Sequence, residues 1–185
     1  MEEIIDQQDP LKPEQMPEKS RSKIVFRNAL IFTFILIIIL LLTHMMREKM
    51  MEKNQSIAWG EYALLFGAII VTQMQVRTDI FQNRLSFSQA FTSGMLFVIL
   101  VALMFAVFVL IFYSFIGHEM LDEMKTLSEN TLRDKGKSEE EIKTAMSFTG
   151  RIFTPVGMCI MTVIGYCFVG TIESLIASLF TQRSN

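Results

Sequence analysis

Two carboxylates stand in otherwise uncharged surroundings. Glu173 is the only charged residue between Ile152 and Gln182, and Glu61 is the only one between Asn54 and Val76. If these stretches lie in lipid, an ionised acid at mid-depth costs about 2.5–3.5 kcal/mol on insertion scales, so an acid kept there is a functional candidate. Glu173 is the stronger case, eighteen residues after Pro155 and well inside its stretch. Gln73, Gln75 and Arg77 close the other stretch at comparable depth. A Glu173–Gln73 hydrogen bond or a Glu173–Arg77 ion pair is therefore expected. Structural glue is the first reading of Glu173, ahead of a proton or ligand site and of a contact with a partner. Glu61 lies four residues into its stretch, close enough to reach water, and reads first as structural. Gly170, Ser174 and Ser178 recur at four-residue spacing, a stripe of small residues on which helices approach closely in lipid. Packing within the monomer is its plainest use, against an oligomer interface.

Other chemistry finds little support. His44 and His118 have no companion ligands nearby. Cys159 and Cys167 are eight residues apart, roughly 12 Å of helix rise, which is beyond disulfide reach. No nucleophile stands beside a base, no glycine loop is suited to phosphate, and no cluster has metal-ligand spacing. The expectation is no enzyme, no cofactor and no metal. A net charge of −2, with no basic patch interleaved with aromatics, argues against nucleic acid as a partner.

The elements that must carry these residues follow from how charge is sorted. Of 185 residues, 51% are hydrophobic and 19% charged, and the charges are clustered. Asn28–Met46 and Leu85–Gly117 contain none. A hydrocarbon core of about 30 Å needs roughly 20 helical residues, and each of the four charge-poor stretches is long enough. Barrel strands would alternate polar with apolar over about ten residues. Ala29–Leu42 (ALIFTFILIIILLL) does not. The fold class is therefore all-α, an integral membrane four-helix bundle in contact with membrane lipids. Its spans are expected at about 28–46, 57–76, 95–116 and 156–180, forming one domain over 28–185 behind a polar, partly disordered tail at 1–27. Trp59 and Tyr62 suit an interface at the start of the second span. The first span is expected to be retained, because no small-residue cleavage pattern follows it.

Residues 117–153 form the one substantial segment outside lipid. Met120, Leu121, Met124, Leu127 and Leu132 sit at helical spacing. Gly136 suits a helix end, and Ser138 with Glu141 forms a capping box that opens a second helix. An amphipathic helical hairpin between the third and fourth spans is expected. It serves as a self-packed cap or as a partner-binding or membrane-lying surface.

Four spans put both termini on one side. Lysines and arginines then divide eight to nine between the two sides, so the raw count decides nothing. Lys19, Arg21, Lys23 and Arg27 directly precede the first span, and that helix usually sets orientation. The termini are expected to be cytoplasmic, in a multi-pass protein of a bacterial inner (cytoplasmic) membrane.

Several motifs of the second half resemble a known pattern. They are Phe87-Ser88-Gln89-Ala90-Phe91-Thr92-Ser93-Gly94, Phe112-Tyr113-Ser114-Phe115-Ile116, Lys137-Ser138-Glu139-Glu140-Glu141-Ile142, and a last span with Gly165, Gly170 and Ile172. The chain from about Ile57 to Phe180 resembles the Bacteroidota membrane family described as domain of unknown function 4199. Val76-Arg77-Thr78-Asp79 matches that family's aromatic-Arg-Asp run in part. The resemblance implies four membrane helices, an inner-membrane location and no assigned activity. It also implies genes neighbouring polyprenyl-phosphate glycosyltransferases, and hence an accessory role. The expected function is a non-catalytic scaffold, anchor or accessory subunit with a protein partner. The alternative is a small transporter or channel-like homo-oligomer using Glu173 in a polar cavity.

Overall fold

A computed structural model describes residues 20–46 and 54–183, apart from the side chains of 54–59. The described residues form six helices: α1 (Arg21–Met45), α2 (Asn54–Asp79), α3 (Phe87–Phe115), α4 (His118–Asp134), α5 (Glu139–Ile152) and α6 (Pro155–Thr181). Residues 1–19 of the expected tail lie outside the described residues. Arg21–Arg27, assigned above to the tail, are instead the first two turns of α1. Ile24 and Val25 are buried there. Charge marks where lipid begins, but it does not stop a helix whose next turn has an apolar face to bury.

Among the described residues α1, α3 and α6 are long and apolar enough to cross a membrane. The second expected span, 57–76, falls on α2, whose first six side chains, 54–59, lie outside the described residues. The 26 residues of α2 exceed what a bilayer requires, and Glu61, Gln73, Gln75 and Arg77 make it the least apolar of the four long helices.

The four long helices form one bundle. The α3–α6 pair is the most extensively packed, α1 and α2 also contact α3, and α2 packs on α6. Phe97, Val98, Val101 and Phe112 of α3 are fully buried, so α3 is the central element. Phe32 of α1 meets Phe97 at a ring separation of 5.8 Å, and Phe105 meets Tyr166 of α6 edge-on at 5.8 Å. Leu85 and Arg183 exchange two backbone hydrogen bonds of 3.0 and 2.8 Å, tying the α2–α3 turn to the end of α6.

Helix starts are written in side-chain chemistry. Ser86 and Gln89 form a reciprocal capping box at α3, Ser138 and Glu141 form another at α5, and the Thr154 hydroxyl accepts from the Gly157 amide at α6. The α3 box places the helix start at Phe87, eight residues before the span expected at 95. Gly136, at φ 69°, turns the chain between α4 and α5 in the left-handed region, which costs glycine least. These two helices pack on one another, α4 on α3 and α5 on α6. His44 of α1 lies edge-on to Phe112 and 3.3 Å from the Met120 sulfur, joining the base of α4 to the bundle.

Gly170 faces Val98 so closely that a Cβ would overlap the valine side chain. Gly170→Val should therefore destabilise the α3–α6 seam by about 1–3 kcal/mol through overpacking. The measurement is thermal unfolding in detergent, and Val98→Ala in the same chain should restore part of the loss. On the hairpin, the Lys125 ammonium holds the Asp122 carboxyl below the usual carboxylate range. Lys137, then the Ser138 cap, do the same for Glu141. Their stabilisation is present above the unfolded carboxylate pKa and is lost as pH falls through the lowered values. Amide exchange at the start of α5, corrected for intrinsic rates, should accelerate across that acidic window and not between pH 6 and 8.

Candidate functional site

The residues singled out from sequence separate into four places. Gln73 is fully buried where α2 meets α6. Its Nε2 donates to Ser178 Oγ at 3.1 Å and to the Ser174 carbonyl at 3.5 Å, while Thr181 Oγ1 donates to its Oε1 at 2.7 Å. Arg77, one turn further along α2, donates from Nη1 to the Thr181 carbonyl at 3.1 Å. Ser174 Oγ donates to the Phe91 carbonyl of α3 at 3.3 Å. Two of the small residues on the stripe, Ser174 and Ser178, are thus hydrogen-bonding partners as well as spacers. Gly94 of α3 completes the joint, since a Cβ there would overlap Ser174 Oγ and lie 2.7 Å from Gln73 Nε2.

Glu173 does not join this cluster. The expected Glu173–Gln73 and Glu173–Arg77 contacts are not formed. Consecutive helical residues are rotated by about 100°, so with Ser174 facing Gln73 the Glu173 side chain leaves to one side. Its Oε2 is buried without a hydrogen-bond partner, as is Arg77 Nε. Glu173 sits partly exposed within electrostatic range of Tyr166, as do Glu61 and Tyr62.

Glu61 lies near Tyr113 and Tyr166. It is twelve residues before Gln73, roughly 18 Å of helix rise away. Gln75 faces α1, where its Oε1 accepts from Arg27 Nη2 and Asn28 Nδ2, both at 3.0 Å. Asn28 Nδ2 also donates to Thr72 Oγ1 at 3.1 Å. Sequence reasoning missed Asn28, Thr72, Gly94 and Thr181. Thr181 continues the Gly170–Ser174–Ser178 stripe and was legible by spacing; the other three carry no charge to draw attention. Both cysteines are free thiols. No group of three or more His, Cys, Asp or Glu side chains suited to a metal ion gathers among the described residues.

An all-helical bundle with membrane-crossing helices, closed by a neutral polar joint, is the class of protein that this arrangement defines. Residues 27–183 match the family model described as "Protein of unknown function (DUF4199)", and the chain belongs to that family. No curated protein and no solved structure matches the chain.

The joint predicts an ordering of mutational effects. Gln73→Leu removes the bonds that tie Ser178 and Thr181 to α2, while both hydroxyls keep a carbonyl acceptor within α6; it should cost about 1–3 kcal/mol of stability, the net worth of two or three hydrogen bonds. Glu173→Leu removes no hydrogen bond and should leave the unfolding temperature within a degree or two. Equal losses from the two variants, measured by thermal unfolding in detergent, would return Glu173 to the centre of the fold.

Proposed function

We propose that this protein is a non-catalytic, multi-pass component of the bacterial inner (cytoplasmic) membrane, acting as a scaffold or accessory subunit for a membrane-associated protein partner. The observation that carries the proposal is how the polar side chains inside the bundle are used. Gln73, Ser174, Ser178 and Thr181 are committed to one another and to backbone carbonyls. The α2–α6 seam is then a closed joint, with its polar atoms turned inward on themselves instead of lining a path.

In this reading α2 is the fourth crossing helix. It runs antiparallel to α1 and parallel to α6, both long and apolar enough to span. Its polar groups face α1 and α6, which is where a polar side chain is tolerated in lipid. Both termini are cytoplasmic. Arg21, Lys23, Arg27, Arg77, Arg84 and Arg183 gather at the end where α1 begins and α6 finishes, and Asp79 is the only acid there among the described residues. The positive-inside rule favours that end as cytoplasmic.

The α4–α5 hairpin then faces the opposite side, and it is the surface offered to a partner. Leu127 and Phe148 are 57% and 68% exposed on it, large apolar groups of the kind that anchor interfaces. The family resemblance makes a polyprenyl-phosphate glycosyltransferase the first partner to look for.

A second reading is a small transporter or channel-like homo-oligomer, favoured by the unpartnered buried oxygen of Glu173. Native mass spectrometry of the detergent-extracted complex separates the two. A stoichiometric heteromeric partner is expected, with its recovery lowered at least about tenfold by Leu127→Ser combined with Phe148→Ser. A homo-oligomer alone, in which the thiol of Glu173→Cys reacts with aqueous reagents, would replace the scaffold reading with transport.

A further inference from the structure

The groove between α1 and α2 combines an apolar trough with a cationic mouth. Phe32 and Phe97 form its buried floor, and Ile31, Ile35 and Val71 its exposed rim, around a cavity of about 250 Å³. The two helices run antiparallel, so Asn28 and Gln75 stand at one end and Ile35 and Ala68 at the other. The trough between them extends roughly 10 Å, seven residues of helix rise.

The polar end is built. Gln75 Oε1 is held between Asn28 and Arg27, and Thr72 Oγ1 accepts a further Asn28 bond. This fixes the exposed Arg27 guanidinium over the mouth with one of its five N–H donors engaged by Gln75. Lys23 lies one turn earlier on the same face of α1 and is also exposed. The surrounding end of the bundle carries six cations and one acid, Asp79, among the described residues. A ligand complementary to this groove is apolar along its body and anionic at its head.

We propose that the α1–α2 groove is a binding site for an anionic phospholipid. One acyl chain lies along the trough between Ile35 and Asn28, and the phosphate-bearing headgroup sits against Arg27 and Lys23. A guanidinium matches phosphate oxygens in pairs, and apolar chain against Phe32 and Phe97 supplies contact that a free phosphate lacks. The site rests on α1 and α2 lying in the bilayer, as in the reading above, and not on any partner of the hairpin.

The experiment is native mass spectrometry of the full chain in mild detergent, with dioleoyl phosphatidylglycerol and dioleoyl phosphatidylcholine offered in equal amounts. Wild type is expected to retain the anionic phosphatidylglycerol preferentially. Arg27→Gln should reduce that preference about fivefold, and Lys23→Gln by a similar factor, since each cation near a membrane surface is worth about 1 kcal/mol. Ile35→Trp, which fills the trough and leaves both cations in place, should lower retention of either lipid. Arg27→Lys should keep the preference, and so should Lys143→Gln on the hairpin; circular dichroism checks that each variant is folded. Equal retention of both lipids by wild type would overturn the site, as would a loss from Lys143→Gln as large as that from Arg27→Gln. A lipid-free wild-type dimer that Ile35→Trp separates would assign the groove to a second copy and also overturn it. Release of the chain from membranes by alkaline carbonate without detergent would instead sink the membrane reading itself, a distinguishable failure.

Discussion

One buried amide fixes how this bundle closes. Gln73 has no access to solvent, and a buried primary amide that goes unpaired costs several kcal/mol. Its carbonyl oxygen and amide nitrogen are both satisfied, and the partners come from α6 at positions 174, 178 and 181. Those positions lie one helical turn apart, so only one rotation and one depth of α6 against α2 satisfies the set. The same requirement explains the glycine facing the amide, because anything larger at Gly94 would push Ser174 and Gln73 apart. Gly170 lets α3 and α6 approach at the next contact along the stripe. Apolar packing alone would leave α6 free to slide, since lipid tails and leucines are equivalent surroundings.

A neutral amide suits this task better than a carboxylate. Glu173 is one residue from Ser174, and bringing it into the seam would strand a charge or force protonation. Gln73 offers donor and acceptor together with no ionisation to suppress. Among the described residues the bundle therefore places its acids at the margins: Glu173 partly exposed beside the seam, Glu61 near the tyrosines at the opposite end of α2, Asp79 at the end of α2, and the rest on the hairpin. On the hairpin, charge is used in the ordinary aqueous way. Arg133 reaches Glu129 within α4 and Glu139 across the turn. Exposed pairs of this sort contribute little individually.

Much of this architecture was legible from the chain. The charge-free gaps located the long helices, and Ser138 with Glu141 and Gly136 gave the hairpin turn. The stripe of Gly170, Ser174 and Ser178 pointed to a close seam on α6. The seam's chemistry was misjudged because formal charge was taken as the sign of importance. It led to Glu173, when one step along the helix, a rotation of about 100°, separates a joint residue from a bystander. Ser86-x-x-Gln89 carries the same capping signal as Ser138-x-x-Glu141, yet the expected span begins at 95, where the polar side chains of 86–93 end. The first two turns of α1 were hidden for a similar reason, since basic residues mark an interface without ending a helix. Asn28 and Thr72 could not be paired from sequence at all, because each is polar, uncharged and 44 positions from the other.

The two polar joints also divide the labour between the helices. The α2–α6 joint is shut, the amide of Gln73 and the hydroxyls of Ser174, Ser178 and Thr181 matched within the protein. The α1–α2 joint is different in kind: Gln75 Oε1 serves two donors, and one of those donors belongs to an exposed guanidinium. A hydrogen bond spent on steadying an exposed cation gains little stability, because water would solvate that group nearly as well. Its structural effect is to hold a positive charge at a fixed place, directly above apolar side chains that protein does not cover. The polar content of α2, which makes it the least lipid-like of the long helices, is thus divided between locking α6 in place on one face and positioning Arg27 on the other.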